Sequence, residues 1–249
     1  MIDHADPEIL FLNGKVVTLD AGGTITSAVV VKNGKVVCAG SDEEMRKCAG
    51  STARVIDLRG RTMLPGFVDS HTHLGPASLS FRHYLDGRCP PNRSVKEILE
   101  RIEERALHIP PGEWIVMNMN VFTNLKLKEK RFPTKEELDR VAPRHPVLIL
   151  ASAHTQIANS CALNFAKITG RTPDPPGGKI ERDAGGEPNG ILRECRRLLP
   201  IPPFTFEEIK ESLRTMTHEY WVRQGFTTAY TFVDHVDLRA LQELRAAKS

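Results

Sequence analysis

Two histidines close the run Leu64-Pro65-Gly66-Phe67-Val68-Asp69-Ser70-His71-Thr72-His73-Leu74. Phe67 and Val68 follow a Pro-Gly breaker and have the apolar character of a strand. Because side chains alternate along an extended chain, His71 and His73 are predicted to lie on the same side of it. Two neutral imidazoles placed in this way can converge on one cation, and imidazole suits Zn²⁺ and other first-row metals.

The rest of this run leaves alternatives open. Asp69 could accept the outward ring N–H of a ligating histidine, or it could cap the end of the strand. Without its context, a His-X-His pair is also compatible with two polar residues at a strand end. The context therefore has to decide between a metal site and an ordinary strand end.

The whole run resembles the first barrel strand of the amidohydrolase superfamily, which carries a Pro-Gly-hydrophobic-hydrophobic-Asp-X-His-X-His signature there. Pro65, Gly66, Asp69, His71 and His73 all match it. The resemblance implies an α/β fold, namely the N-terminal part of a (β/α)₈ metal-dependent hydrolase barrel with a small β-sandwich segment and a long insertion after the first barrel strand. It also implies that His71 and His73 bind a divalent metal, which we expect to be Zn²⁺, as one or two ions.

Composition excludes several classes of protein. The chain has 249 residues, 40% of them hydrophobic, which is enough for one large domain or two ordinary ones. No apolar run approaches the roughly 18 residues of a membrane span, and the first residues do not resemble a signal sequence, so we expect a cytoplasmic protein. A net charge of +3 without a basic stripe gives no support to nucleic-acid binding. The five scattered cysteines predict packed thiols rather than a disulfide framework or a zinc ribbon.

Residues 1–62 are predicted to form the β-sandwich segment. Asn13-Gly14 and Asn33-Gly34 each separate two short apolar runs, which predicts two hairpins in a small antiparallel unit. In amidohydrolases a similar N-terminal segment forms a sandwich that strands from the far C-terminus complete. The alternative is an independent binding module.

Residues 63–249 are predicted to form a partial TIM-barrel domain with an insertion at about 75–203. Residues 75–91 are predicted to be loop, followed by a helix capped by Ser94, and Pro146–Leu150 is predicted to be a buried strand. A second barrel strand is predicted over Phe226–Val233 and a last helix from about Leu238 to Lys248. The apolar positions predicted to be buried on the two longest helices are Ile98, Ile102 and Leu107 on the first and Ile209, Leu213, Met216 and Tyr220 on the second.

A second group of motifs lies inside this insertion. His154 precedes Asn159-Ser160, Gly177–Asp183 reads Gly-Gly-Lys-Ile-Glu-Arg-Asp, and Gly190–Glu194 reads Gly-Ile-Leu-Arg-Glu. These motifs resemble the N-substituted formamide deformylase branch, often called YtcJ-like. The resemblance implies that Glu194 is a catalytic carboxylate that reaches the metal or bridges two ions, and that His154 and Asn159 bind the substrate. The alternatives are an ordinary helix-start glutamate and a buried His–Asn hydrogen-bonded pair.

The expected reaction is hydrolysis of a C–N bond of amide, N-acyl or N-formyl type through a metal-activated water. The expected partner is a small amide-like molecule with an apolar acyl or aryl group, with no nucleic acid and no membrane; a homo-oligomer remains open. A barrel needs eight strands and only two qualify, so we interpret the chain as the N-terminal portion of a longer hydrolase that is inactive alone. Two alternatives are a non-catalytic assembly fragment and a compact site completed by Asp234, His235 or His154.

Overall fold

The computed structural model describes residues 8–152 and 154–247. The chain divides into two compact units, one made of the residues up to Asp69 with Gly225–Ala229, the other of Ser70–Gln224 with the residues from Tyr230 onwards. No helix within the described ranges is long and apolar enough to cross a membrane. The first residues, which were compared with a signal sequence, and Lys248, the predicted end of the last helix, lie outside the described residues.

The first unit is built from seven short strands and one helix. They are β1 (Ile9–Leu12), β2 (Lys15–Val17), β3 (Ile25–Thr26), β4 (Ala28–Lys32), β5 (Lys35–Gly40), α1 (Asp42–Cys48), β6 (Arg54–Asp57) and β7 (Thr62–Met63). The strands form two sheets, in the orders β5-β4-β1-β6 and β3-β2-β7. Leu10, Leu12, Ala28, Val30 and Met45 form one buried cluster of this unit.

The prediction of two hairpins was correct for one turn and wrong for the other. Asn33 and Gly34 both have positive φ, and they join β4 to β5 in an antiparallel hairpin with Lys32 opposite Lys35. At Asn13-Gly14 only Asn13 has positive φ, and the chain passes from one sheet to the other instead of turning back. The unit is also not wholly antiparallel, because β1 pairs with β6, and β2 with β7, in parallel.

The prediction that all cysteines are packed thiols was wrong for two of them. Cys38 on β5 and Cys48 at the end of α1 form a disulfide. The chain turns back between them, because Ser41 and Glu44 form a capping box that starts α1 directly after β5. Cys89, Cys161 and Cys195 are free thiols.

The second unit contains most of the helices. Its elements, with the two strands that cross the division, are β8 (Phe67–Thr72), α2 (Leu74–His83), β9 (Leu85–Asp86), α3 (Val95–Leu107), β10 (Ile115–Asn118), α4 (Thr123–Lys126), α5 (Lys135–Val141), β11 (Val147–Leu150), β12 (Thr155–Ala158), α6 (Ser160–Phe165), β13 (Lys179–Arg182), β14 (Pro188–Arg193), α7 (Phe206–Thr215), β15 (Phe226–Thr231) and α8 (His235–Ala246). A 3₁₀ turn covers Arg196–Leu198, and a π-helical segment, Met216–Trp221, continues α7.

A six-stranded mixed sheet forms the core of this unit, in the order β13-β14-β12-β11-β10-β9. β11 is completely buried, as predicted, and has a parallel neighbour in β10 and an antiparallel one in β12. Ile98 and Ile102 of α3 and Leu138 of α5 pack in the cluster that includes Val147 and Ile149. Leu148 and Leu150 belong to a second cluster, with Leu163 and Leu192. The two clusters alternate along β11, as side chains on the two faces of a strand do.

Four predictions about helices need correction. Residues 75–83 of the predicted loop belong to α2, and α8 begins at His235 rather than near Leu238. Leu107 is 79% exposed because it is the last residue of α3. Tyr220 is 44% exposed because the helix changes to π geometry at Met216, which alters the spacing on which the predicted buried face depended.

The predicted barrel strands, β8 and β15, pair with each other in a two-stranded sheet. The N–H of Phe67 donates to the carbonyl of Gly225, and the N–H of Leu74 donates to Thr231 Oγ1. The residue numbers of the bonded partners therefore increase in the same direction along both strands. Within the described residues these two strands do not close into a barrel.

Candidate metal and catalytic site

His71 and His73 lie side by side where β8 ends and α2 begins. Their ring centroids are 5.2 Å apart with the planes inclined at 77°, and both side chains are exposed. His73 occupies the residue before α2 and makes no capping bond with its side chain. Two imidazoles thus share one side of the strand end, as the alternation of the sequence requires.

The residues after β15 support this strand end. The ring of Phe232 lies 5.8 Å from that of His71 and 5.5 Å from that of His73. Thr231 Oγ1 accepts a hydrogen bond of 2.9 Å from the N–H of Leu74, directly after His73. The apolar composition of β15 predicted a strand, but sequence spacing gave no signal that Phe232 would contact both histidines.

Asp237, on α8, lies against the start of α2. It is 8% exposed, and a Cβ atom placed on Gly75 would come within 2.0 Å of its Oδ2. Burial raises the pKa of Asp237, and the neighbouring charge of Asp234 adds to this. Asp234 itself caps α8 by accepting bonds from the N–H groups of Val236 and Asp237. Only a glycine at position 75 leaves room for this carboxyl group, two residues beyond His73.

Gly66 has an equally specific reason in the first unit. A Cβ at this position would lie 2.2 Å from Oγ1 and Cγ2 of Thr227, which occupies the space that a side chain would need. The Phe67 and Phe226 rings next to them meet edge to face at 5.9 Å. The glycine of the Pro-Gly signature therefore permits the close approach of β15 to the beginning of β8.

His154 and Glu194 form a second pair of functional groups. Thr155 of β12 is opposite Arg193 of β14, so the preceding and following residues are the next cross-strand pair. The His154 Nδ1 lies 2.5 Å from Glu194 Oε1, and the Glu194 N–H donates to the His154 carbonyl at 2.9 Å. Both side chains are largely exposed, at 75% and 49%. Glu194 has a positive φ and belongs to no helix, so the helix-start alternative was wrong.

Asn159 is fully buried and caps α6. Its Oδ1 accepts from the N–H groups of Val147 and Ala162, and its Nδ2 donates to the carbonyls of Ala142 and His145. The alternative of a hydrogen-bonded His154–Asn159 pair was therefore wrong, because each side chain has other partners. Since these bonds occupy its amide, the predicted substrate-binding role of Asn159 has no free polar group to act through.

The two pairs do not meet in one cluster. Within residues 8–152 and 154–247, no three His, Cys, Asp or Glu side chains lie close enough together to hold a metal ion. Glu194 is thus not placed with His71 and His73, and neither Asp234, His235 nor His154 completes a compact site with them. The histidines have the right donor chemistry and lie on a common side, so they fit two ligands of a divalent cation whose competent site needs at least three.

The strand-end histidine pair and the mixed α/β sheet agree with a protein of amidohydrolase type. The model of the family described as "Amidohydrolase family" matches residues 54–248, and the chain belongs to this family. It is 40% identical over 189 residues to the N-substituted formamide deformylase of Arthrobacter pascens, covering 76% of this chain and 34% of that protein. It is 34% identical over 227 residues to YtcJ of Bacillus subtilis, covering 88% and 41% of the two chains.

A solved structure gives independent support for the fold. An uncharacterized metal-dependent hydrolase from Pyrococcus horikoshii superimposes with a TM-score of 0.63 at 24% identity, over 97% of this chain and 46% of the other. The chain therefore spans between a third and a half of the length of these similar proteins. At this level of identity the superposition shows a shared fold and no more.

Proposed function

We propose that the full-length gene product containing this chain is a metal-dependent hydrolase of C–N bonds of the amide, N-acyl or N-formyl type. The observation that carries the proposal is the adjacent pair of exposed imidazoles, His71 and His73, at the end of β8. Family membership supplies the reaction class, since the match begins at Arg54 and so includes this strand.

His71 and His73 would hold the cation, which we propose to be Zn²⁺, as one or two ions. A cation held in this way polarises the scissile carbonyl and lowers the pKa of a bound water toward about 7. The ring of Phe232 lies against both imidazoles. Thr231 fixes the backbone that follows His73 through its bond to Leu74. Together they would hold the rings in position for ligation.

Glu194 and His154 are proposed to act on the substrate and on protons. A carboxylate bonded to an imidazole can accept a proton and pass it on, which is the action that amide hydrolysis requires at the leaving nitrogen. The double link between the two residues, through side chains and backbone, keeps the carboxylate in one orientation. Placement of Glu194 on the metal remains a proposal, since the described residues keep it apart from the histidine pair.

The substrate class is proposed from two sources. The Arthrobacter protein is named for deformylation of N-substituted formamides, and at 40% identity its substrates are the first to test. Phe232, which is 67% exposed and lies against both imidazoles, agrees with an apolar substituent on the amide. We therefore propose small amides, N-acyl compounds or N-formyl compounds that carry an apolar acyl or aryl group.

The decisive experiment measures bound metal and turnover in His71→Ala, His73→Ala and the double variant of the full-length product. We expect each single variant to lose most of its bound zinc and its hydrolysis of N-substituted formamides, because the cation loses one of its ligands. His218→Ala is the matched control, since His218 is exposed on the π-helical segment. Unchanged zinc stoichiometry in the double variant would refute the ligand assignment, whatever the activity.

A further inference from the structure

A cavity of about 1060 Å³ lies beside the end of β14, entirely within the second unit. Its walls are mainly apolar, and they come from α2, from the turn before β13 and from the segment between β14 and α7. The apolar residues that line it include Leu79, Pro175, Leu199, Ile201, Pro202 and Phe204. This volume is slightly above the roughly 300–1,000 Å³ typical of pockets for small organic ligands.

The cavity wall carries more positive than negative charges. Its charged lining residues are Glu194, Arg196 and Arg197. The Glu194 carboxylate is already bonded to His154. Among the described residues, neither guanidinium forms an ion pair with a carboxylate. Arg196 acts instead on the phenol of Tyr84, whose pKa it lowers against the larger, raising effect of burial. The cavity thus contains two guanidinium groups that form no ion pair with a carboxylate of the described residues.

Aromatic rings lie beside these cations. The ring of Phe204 lies 4.5 Å from that of His83, inclined at 34°, and 5.9 Å from that of Tyr84. Burial raises the pKa of Tyr84, so its phenol stays protonated at neutral pH and can donate a hydrogen bond. A ligand with a flat apolar body and an anionic end could stack on these rings and pair with the arginines.

We propose that this cavity binds a small aromatic carboxylate, with its ring against Phe204 and its carboxylate on Arg196 and Arg197. Arginine is suited to this role because its planar fork matches a carboxylate with two parallel hydrogen bonds. The aliphatic side chains of Leu199 and Ile201 would cover the remainder of the ring. The proposal deepens the substrate class only if the histidine site is catalytic, but the binding itself does not depend on that site.

The position of the cavity relates it to the histidine pair. Leu79, on its wall, follows His73 by six residues on α2, a distance of about 9 Å along a helix. Direct binding and metal content are measured separately, so failure of one proposal is distinguishable from failure of the other.

The test is calorimetric titration of the metal-free protein with phenylpropionate, phenylpropylamine and phenylpropanol, which share one apolar body. We expect phenylpropionate to bind about tenfold more tightly than the alcohol and the amine to bind most weakly. Arg196→Gln and Arg197→Gln should each weaken phenylpropionate binding by about three- to tenfold, because each removes one charge-assisted contact from a partly solvated site. Added salt should weaken the carboxylate and leave the alcohol unchanged.

Two controls complete the design. Arg46→Gln removes an exposed arginine of α1 that lines no part of this cavity, and it should leave all three affinities unchanged. Thermal unfolding followed by circular dichroism checks that the variants fold. Equal affinity for the amine or the alcohol, no measurable binding of phenylpropionate, or an unchanged dissociation constant in Arg197→Gln would each overturn the proposal; the comparison of ligands needs no variant at all.

Discussion

Strands β11 and β8 start from similarly apolar sequences and end in opposite surroundings. Val147, Leu148 and Ile149 are all 0% exposed, with clusters on both faces of the strand and a neighbouring strand at each edge. Phe67 and Val68 on β8 are 44% and 58% exposed, and β15 is the strand beside them within the described residues. Apolar composition therefore shows that a strand is stabilised by burial, but it does not show that the strand is buried.

The difference also separates structural from chemical roles. Asn159, which lies close to β11, has its amide oxygen and nitrogen occupied by backbone groups. At the end of β8 the two imidazoles are exposed, and His73 is not used for capping. The exposed imidazoles thus occur where the strand is open to solvent, which is where the sequence motif also placed them.

The largest expected effect compares the two strands directly. Ile149→Ala should destabilise the protein by about 2–5 kcal/mol, because it leaves a cavity among residues that are fully buried. Val68→Ala, at the exposed strand, should change stability by no more than about 0.5 kcal/mol. Urea unfolding at equilibrium measures both. Similar losses for the two substitutions would mean that β8 is covered in solution and that the comparison is wrong.

A second experiment asks how firmly the open strand end is anchored. Gly75→Ala should destabilise by about 1–3 kcal/mol, because its Cβ would overlap the carboxyl group of Asp237. Helix propensity alone predicts the opposite sign, by about 1 kcal/mol. Gly22→Ala is the control, since the nearest side-chain atoms would be 3.6 Å away.

A double-mutant cycle with Asp237 tests whether its carboxyl group causes this loss of stability. If the overlap with Asp237 is the cause, Asp237→Ala should relieve most of the loss, with a coupling of about 0.5–3 kcal/mol between the two substitutions. Additive effects would assign the cost of Gly75→Ala to the backbone rather than to this carboxyl group.

Local patterns in the sequence predicted much of the fold. The predicted cap at Ser94 starts α3, and Asn33-Gly34 forms the expected hairpin. The errors arise where tertiary partners decide. Asn13-Gly14 has the same dipeptide, but β1 finds better partners in β4 and β6 than in β2. The π geometry after Thr215 has no signature in the apolar spacing and so exposes Tyr220.

The candidate site was predictable in proportion to how local its geometry is. His71 and His73 are two residues apart at the end of β8, so the alternation of the backbone is enough to place them together. His154 and Glu194 meet through the register of β12 and β14, and Phe232 and Asp237 reach the site from a segment more than 150 residues away. Contacts of that range depend on how sheets and helices pack, which no short motif encodes.

The smallest expected effect concerns α5, the helix that packs on the six-stranded sheet. Glu137, on α5, accepts two bonds from Arg131, at 2.7 and 2.8 Å, and one from the N–H of Thr134. The bonds from Arg131, followed by the one from Thr134, lower the pKa of Glu137 from 4.5 to about 2. A carboxyl group with a depressed pKa stabilises the folded state above its unfolded pKa, and this contribution is lost as the pH falls from about 4.5 to about 2.

Glu137→Gln should therefore cost only about 0.5–1.5 kcal/mol at neutral pH, because solvent screens the ion pair with the partly exposed Arg131. The difference from the wild type should shrink as the pH falls through that range. Glu136→Gln is the matched control, because Glu136 is exposed on the same helix turn and its nearest cation, on Lys135, is 3.7 Å away. Urea unfolding of the three proteins between neutral pH and pH 2 measures the effect. If the difference in unfolding free energy stays constant across this range, Glu137 acts through hydrogen bonds that do not depend on its charge. The charge of Glu137 would then not stabilise the helix on the six-stranded sheet.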